Sequence, residues 1–264
     1  MLRTLWAFLK KDFLEESSYK IAFVFQFIGI FMNVLTYFFV NKIVPGSIVS
    51  EYGGNYFSFV LVGIAISSFL GLGMHGFAGV IRNMQVTGTI ETVMMSSAKL
   101  WIILVGSSIW NYIMTTLHVA VYFIFGIFLF GMLININFLA VLLTLVLTII
   151  VFSSIGVIAA GMIMIFKRGD PLTWIFSSLS SLLGGMLFPI TVMPPLLQKL
   201  AAILPITYSL RAMRLAMLQG YSIFQLLPEI LILAVFALLL WPLSVLIFKY
   251  AVQKAKKDGS LVKY

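Results

Sequence analysis

The chain has 264 residues, of which 62% are hydrophobic and only 9% are charged. A soluble fold cannot bury that much apolar surface, so the composition indicates a membrane protein. A bilayer core about 30 Å thick needs about 20 helical residues per crossing, which leaves room for about six crossings. No polar stretch approaches the ~100 residues of a typical domain, and this excludes a separate nucleotide-binding or catalytic domain within the chain.

The net charge is +9, but the seventeen Lys and Arg residues are scattered between apolar blocks and form no single basic face. A nucleic-acid partner is therefore not expected. The chain has no cysteine and only two histidines, which are too few for a metal cluster. We expect neither a metal nor a cofactor to be bound by this chain.

Residues 1–20 predict an amphipathic helix that lies in the membrane interface. Charged side chains surround one face of this stretch, and apolar side chains recur at helical spacing on the other: Leu2, Leu5, Trp6, Leu9 and Phe13. Such a helix either anchors the chain at the lipid headgroups or makes a specific protein contact, and both interpretations stay open. A small-residue cleavage signature is absent here, so a cleaved signal peptide is not expected.

Six apolar runs without Asp, Glu, Lys or Arg predict an all-α membrane protein with six transmembrane helices. The predicted helices cover residues 21–43, 55–75, 101–130, 138–166, 172–188 and 228–248. The third and fourth runs are longer than one crossing requires, so they either tilt or extend beyond the hydrocarbon. A tail over 249–264 follows the last run, and the whole chain is predicted to form one transmembrane domain.

The positions of the basic residues predict the orientation in the membrane. Thirteen of the seventeen Lys and Arg fall in segments that share one side if the amino terminus is cytoplasmic. Because cytoplasmic segments carry an excess of Lys and Arg, both termini are predicted to be cytoplasmic. We expect a multi-pass protein of the cell (inner) membrane.

Residues 189–225 are apolar but are interrupted by prolines: Pro189, Pro194, Pro195 and Pro205. The segment predicts two short helices, over 196–204 and 206–219, neither of which is long enough to cross a bilayer alone. We predict that they enter the outer leaflet and return, as a re-entrant pair. Arg211 and Arg214 lie three apart on the second helix, where they either reach lipid phosphates or hold a substrate phosphate.

The sequence offers no catalytic machinery. The nucleophile elbow, zinc-protease and P-loop motifs are all missing, and no carboxylate lies within the six apolar runs, the last of which begins at residue 230, after Glu229. We therefore expect a non-catalytic protein. The polar residues at membrane depth are Gln26 and Asn33, on one face of the first run, and His118 in the third; they serve either a polar pathway or helix packing.

The segment over 82–98 predicts a helix outside the membrane, between the second and third crossings. Gly88 interrupts the chain, Thr89 is suited to cap a new helix, and Glu91 lies near its positive end. Three apolar side chains share one face of that helix: Ile90, Val93 and Met94. This pattern fits both a helix on the membrane surface and a docking helix that inserts into a partner's groove.

Two segments carry a family resemblance. The first is Gly-Thr-Ile-Glu at 88–91, after the second crossing. The second comprises GGMLFPITVMP at 184–194, LPITYSLRAMR at 204–214, and Gly220 before the last crossing. They resemble the G-T-x-E segment and the carboxyl-terminal signature of the ABC-2 type transporter permeases, which are the membrane subunits of ABC exporters. The order of these features is similar over nearly the whole chain, although the doubled proline at Pro195 departs from the pattern.

The resemblance implies partners and a mode of energy supply. It implies a second permease copy, most simply in a homodimer, although a heterodimer stays open. It also implies two copies of a separate cytoplasmic ABC ATPase subunit that bind ATP and Mg. The exporter would move an amphipathic or lipid-linked substrate such as a drug, a lipid or a glycan, with membrane lipid as a further partner.

The resemblance also implies roles for individual residues. The ATPase-coupling interface would comprise Gly88, Thr89, Ile90, Glu91, Val93 and Met94. A secondary cytoplasmic contact, or merely a solvated loop, would comprise Lys167, Arg168 and Asp170. The outer gate would comprise Phe188, Pro189, Pro194, Pro205, Thr207, Tyr208, Arg211 and Arg214.

Two other classes of function stay open from the residues alone. An ion-coupled carrier or channel would work without an ATPase, but such proteins usually place ionisable residues at membrane depth, and only His118 qualifies here. A structural membrane protein would have no transport pathway at all.

Overall fold

A computed structural model of the chain describes residues 2–90, 100–166 and 171–257. These residues are helical with short connections and contain no strand, so the all-α prediction is confirmed for the described part of the chain. In chain order the elements are α1 (Leu2–Ser18), α2 (Lys20–Asn41), a 3₁₀ helix (Gly46–Tyr52), α3 (Tyr56–Val86), α4 (Leu100–Ile124), a π-helical turn (Phe125–Leu129), α5 (Phe138–Phe166), α6 (Pro171–Leu183), a second 3₁₀ helix (Ile190–Val192), α7 (Pro195–Ala201), α8 (Pro205–Leu218) and α9 (Leu227–Lys257).

Five of the described helices are long and apolar enough to cross a membrane: α2, α3, α4 with its π-helical turn, α5 and α9. A sixth span exists only if α7 and α8, which are bent by 88° relative to each other, count as one. The predicted fifth crossing over 172–188 is shorter than expected. Helix α6 has 13 residues, or about 20 Å at 1.5 Å per residue, which is less than the ~30 Å of a bilayer core.

Two adjacent glycines end α6 early. The N–H of Gly184 donates to the carbonyl of Ser180 at 2.9 Å, and Gly185 follows with φ of +75°. A left-handed residue just after the last turn is a common helix terminator, and glycine adopts that conformation without a steric penalty. The apolar run continues beyond this point, and for that reason hydrophobicity alone placed the end of the helix too late.

Helix α3 occupies the centre of the bundle and extends well beyond its predicted end at residue 75. Its 31 residues correspond to about 46 Å, so α3 reaches past a bilayer core at one end at least. It packs against α5 at a crossing of two glycines, where Gly73 faces Gly156. A Cβ atom added to Gly156 would overlap the Gly73 carbonyl oxygen and lie 2.8 Å from that of Met74.

The bundle has two ends that carry different apolar clusters. One cluster joins the first 3₁₀ helix to α3, α8 and α9; we name this the Arg214 end, after the arginine of α8 that lies there. The other joins α3, α4, α5 and α9 around Ile90, and we name it the Ile90 end. Ala255 of α9 belongs to the Ile90 cluster. At the same end α1 packs on α4. The contact is so close that a Cβ atom added to Gly106 of α4 would lie 2.8 Å from Phe8 Cδ2 of α1.

The second helix of the bent pair, α8, lies largely inside the protein, whereas α7 is mostly exposed. Most side chains of α8 are buried, among them Leu210 and Met213, which belong to the central core together with residues of α3 and α5. The hydroxyl of Thr148 on α5 also donates to the Ser209 hydroxyl on α8 at 3.0 Å. A helix broken at membrane depth requires protein cover of this kind for its loose backbone groups.

The glycine crossing generates a stability prediction. We expect Gly156→Ala to lower the free energy of unfolding by about 1–3 kcal/mol, because the added methyl group forces α3 and α5 apart. Gly29→Ala on α2 is the matched control, since no heavy atom lies within 4 Å of its added Cβ. Unfolding in mixed micelles with increasing dodecyl sulfate measures both variants. Equal stability of the two would show that the crossing is not closely packed in the membrane.

Candidate functional site

The segment that follows α3 turns sharply before the predicted docking helix. The Thr87 hydroxyl donates to the Asn83 carbonyl at 2.8 Å and lies 2.9 Å from the Thr89 hydroxyl. Gly88 has φ of +68°, a conformation that favours glycine. This left-handed residue gives a physical reason for the glycine at the start of the G-T-x-E segment.

Ile90 is buried within the chain itself, with only 1% of its surface exposed. It packs in the cluster at the Ile90 end with residues from four long helices, including Phe77, Leu104, Met164 and Phe248. The sequence pattern left open a membrane-surface helix or a docking helix, and the family resemblance assigns Ile90 to the ATPase-coupling interface, which stays a prediction. In the structure Ile90 is an anchor that fastens the segment to the helix ends, whereas Gly88 and Thr89 are exposed.

Several predicted contact residues lie outside the part of the chain that the structure describes. Glu91, Val93 and Met94 lie outside the described residues, and so do Lys167, Arg168 and Asp170 of the predicted secondary contact.

At the opposite end of the bundle, Arg214 is buried, with 2% of its surface exposed. Its guanidinium group donates to three backbone carbonyls: to Phe59 at 3.1 Å, to Gly185 at 2.7 Å and to Met186 at 2.7 Å. The guanidinium carbon also lies 3.4 Å from the centroid of the Phe59 ring. No carboxylate of the described residues lies within 4 Å of it, so its partners are carbonyl dipoles and an aromatic face.

These contacts explain how the early end of α6 is stabilised. The last carbonyls of a helix have no partner within the helix, and buried carbonyls without partners are costly. Arg214 satisfies those of Gly185 and Met186 directly after the break. Gly63 on α3 provides the space, because a Cβ there would lie 2.5 Å from both Arg214 Nη2 and the Met186 oxygen.

Arg211, one turn earlier on α8, has different neighbours. It is half exposed, and it lies 3.0 Å from Glu51 Oε1 and 3.5 Å from Glu229 Oε1. It therefore connects α8 to the first 3₁₀ helix and to the start of α9. A nearby tyrosine, Tyr52, is held neutral, because burial and the adjacent carboxylate of Glu51 raise the pKa of its hydroxyl.

The sequence left open a lipid phosphate or a substrate phosphate as the partner of the two arginines, and in the structure each arginine has separate protein partners. Arg214 is withdrawn from the surface and occupied by carbonyls, while Arg211 is already paired with two carboxylates, so they do not form a shared anion site. The sequence analysis missed Glu51 and Glu229. They are the only acidic residues of the sequence in the segments predicted to be outside or at the borders of those segments. Their charge is opposite to that of the arginines on the same side, and this could have indicated an ion pair.

The remaining predicted gate residues form the corner between α6 and α8. Pro189 and Pro194 are extended and precede the second 3₁₀ helix and α7, while Pro195 and Pro205 occupy the first turns of α7 and α8. In the doubled proline, Pro194 is the extended residue before α7 and Pro195 is its first residue. The fixed φ of proline suits both positions. Phe188 is partly exposed.

Two hydroxyl groups close the turn between α7 and α8. Thr207 Oγ1 donates to the Ala201 carbonyl at 2.6 Å, and the Tyr208 hydroxyl donates to the Ala202 carbonyl at 2.7 Å. A cavity of about 330 Å³ lies beside this corner, with Arg211, Gln198 and Thr191 in its wall. The corner is therefore hydrogen-bonded on one side and open to a polar space on the other.

The polar residues at membrane depth separate into two groups. His118 Nε2 of α4 lies 3.0 Å from Gln26 Oε1 of α2, so these two form an interhelical hydrogen bond. Asn33 instead donates to the Gly29 carbonyl of its own helix at 3.0 Å. The structure therefore brings together two of the three predicted residues, whereas Asn33 bonds within its own helix.

The contacts of Arg214 predict a strong effect on stability. We expect Arg214→Met to lower the free energy of unfolding by about 3 kcal/mol or more, because each hydrogen bond from a charged group contributes ~1.5–3 kcal/mol. Lys199→Met on α7 is the control, since it removes an exposed cation and should change stability by about 0.5 kcal/mol or less. Dodecyl sulfate titration measures both, and equal losses would contradict a structural role for the guanidinium group.

A comparison with protein families agrees with the ordered features above. A family model described as ABC-2 type transporter matches residues 3–218, which cover most of the chain. No curated protein was found to be similar to the chain. The match includes the turn at Gly88, the α6 break and all of α8. The chain therefore belongs to the ABC-2 type transporter family, as a multi-pass membrane permease component of an ABC transporter whose family implies an ATPase partner.

Proposed function

We propose that the chain is the permease subunit of an ATP-driven exporter and that the segment from Gly88 to Met94 is where a separate ATPase subunit binds. The burial of Ile90 carries this proposal. An ATPase that pulls on this segment would act through Ile90 on the ends of α3, α4, α5 and α9 together, because all four contribute to the same cluster. Closely packed clusters transmit displacement because they deform little.

Under this proposal the Ile90 end is cytoplasmic and the protein resides in the cell (inner) membrane. Three observations support the orientation. The excess of Lys and Arg falls on that side, α1 packs on α4 there, and the last described turns of α9 belong to the Ile90 cluster. Both described ends of the chain therefore share one side with the proposed ATPase site.

The bent pair of α7 and α8 would be the outer gate, with its two arginines in different roles. The buried contacts of Arg214 hold the α6 break in every state. The half-exposed ion pairs of Arg211 with Glu51 and Glu229 are the ones that would open, since exposed ion pairs contribute only about 0–1 kcal/mol each. Opening would then widen the 330 Å³ cavity beside the corner.

The complete exporter in this proposal contains two permease copies and two ATPase subunits, which bind ATP and Mg. A homodimer is the simplest assembly. Apolar side chains exposed on α2 and α6, including Phe25 and Trp174, are available to a second copy or to membrane lipid. The substrate class is amphipathic or lipid-linked, and the Gln26–His118 pair offers it a polar contact at membrane depth.

Co-purification with the ATPase subunit tests the coupling interface. We expect Met94→Asp to weaken ATPase binding by about ten-fold or more, as the loss of a central interface residue commonly does. ATP hydrolysis by the complex should fall to the level of the ATPase subunit alone. Substitution of Ile90 is less informative, because its burial means that Ile90→Asp disrupts the permease itself.

Leu133→Asp provides the matched control for this experiment. Leu133 is 84% exposed and follows the far end of α4, about 45 Å along the helical axis from the coupling segment. The same apolar-to-acidic change there should leave ATPase binding and hydrolysis intact. Full coupling in Met94→Asp, or an equal loss in Leu133→Asp, would reject the assigned interface.

A further inference from the structure

Three adjoining cavities open between α1, the start of α2 and α4, on the Ile90 side of the bundle. Their volumes are about 670, 410 and 270 Å³. Glu16 and Trp110 line all three, so the cavities meet at these two side chains. We name the combined space the Glu16 cavity. The Glu16 cavity lies apart from the proposed outer gate. Among the described residues of the proposed coupling segment, only Thr89 lines it.

The 410 Å³ arm of the Glu16 cavity is apolar. Its walls include Phe13, Phe23 and Met114 beside Trp110, and the rings of Phe13 and Trp110 meet edge to face at 5.8 Å. Ligand sites are typically about 300–1,000 Å³ and mainly apolar, so this arm has the size and character for a hydrocarbon or aromatic group.

The 270 Å³ arm is polar and reaches the hydrogen-bonded pair of Gln26 and His118 between α2 and α4. Asn111 and Thr115 complete its polar lining, and Glu16 is the one charged residue in that lining. A molecule that occupied both arms would therefore be amphipathic, with its apolar part against the aromatic wall and its polar part near Glu16.

The carboxylates that line the cavity outnumber its cations: Asp12, Glu15 and Glu16 stand against Lys11 and Lys20. In the 670 Å³ arm Lys11 is already engaged, at 2.8 Å from Asp12 and 3.6 Å from Glu15. Glu16 has no ion-pair partner within 4 Å among the described residues, and it is half-buried. A half-buried carboxylate without a partner is poorly solvated, so an incoming ammonium group would gain a charge-assisted hydrogen bond there.

Trp110 adds two further features. Its ring face can attract a cation held by Glu16, since aromatic faces are electrostatically negative. Its indole N–H is buried and has no hydrogen-bond partner among the described residues. Buried polar groups are normally paired, so a rotation of the Trp110 ring that exposes this N–H to the cavity would let a bound molecule supply the acceptor.

We propose that the Glu16 cavity binds an amphipathic organic cation that enters from the membrane leaflet at the Ile90 end. Its ammonium group lies on Glu16, and its apolar body lies against Trp110 and Phe13. That the bound molecule is cargo rests on the proposed exporter function, whereas its binding does not. The site narrows the substrate class from any amphiphile to those that carry a positive charge.

Binding of rhodamine 6G, a cationic amphiphilic dye, tests this site. The full chain is placed in phosphatidylcholine nanodiscs, fluorescence anisotropy is measured, and empty nanodiscs correct for partition into lipid. We expect Glu16→Gln to raise the Kd about ten-fold, or ~1.4 kcal/mol. Glu51→Gln is the control, because it removes the same charge from an exposed carboxylate at the Arg214 end, outside the Glu16 cavity. Its Kd should stay within about two-fold of the wild type.

Glu16→Asp separates charge from folding, since it keeps the carboxylate and should retain most of the affinity. Dodecylammonium should displace the dye, while dodecyl sulfate at equal concentration should not. An unchanged Kd in Glu16→Gln, or equal displacement by the two detergents, would overturn the proposal. In nanodiscs of phosphatidylethanolamine, complete displacement of the dye would identify a resident lipid headgroup as the occupant and also contradict the cargo assignment.

The binding measurement is independent of the ATPase experiment. If rhodamine 6G binds through Glu16 but Met94→Asp leaves coupling intact, the coupling interface of the proposed exporter is wrong and the cation site stands. If Met94→Asp abolishes coupling but Glu16→Gln leaves the Kd unchanged, only the cation site is wrong.

Discussion

A backbone carbonyl in an apolar environment must have a hydrogen-bond partner, and this requirement governs the half of the bundle around Arg214. Helix α6 stops after 13 residues, so the backbone carbonyls that follow its end have no helical partners. One guanidinium group donates to the carbonyls of Gly185 and Met186. The charge is tolerated because three carbonyls and an aromatic ring surround it.

The position of α8 follows from that requirement. A guanidinium group can reach the α6 break only if α8 packs deep in the bundle, against α3 and α5, and only if α3 leaves space beside it. Gly63 leaves that space. Burial of α8, the glycine on α3 and the early end of α6 are thus consequences of one arrangement. By contrast, the Ile90 end is held together by apolar packing, in which direction and charge matter little.

The sequence was informative wherever a property is local. Apolar runs located the long helices, although α3 continues to Val86 and α9 to Lys257, past their predicted ends. The prolines at 189, 194, 195 and 205 indicated two short helices, which the structure shows as α7 and α8. Pairings between distant residues were not predictable, because no local pattern links Arg214 to Gly63 or to the α6 carbonyls. For the same reason the burial of Ile90 was not predictable, since a helical face shows which residues are apolar but not which surface covers them.

The two arginines of α8 also differ in how they respond to the surrounding solution. Dissolved ions screen charges that water can reach, so salt on the Arg211 side weakens its bonds to Glu51 and Glu229. Arg214 is shielded from those ions by its burial. At high ionic strength the ion pairs of Arg211 would weaken, whereas the buried contacts of Arg214 would remain. Any movement of α7 and α8 that followed would therefore be a rotation about Arg214.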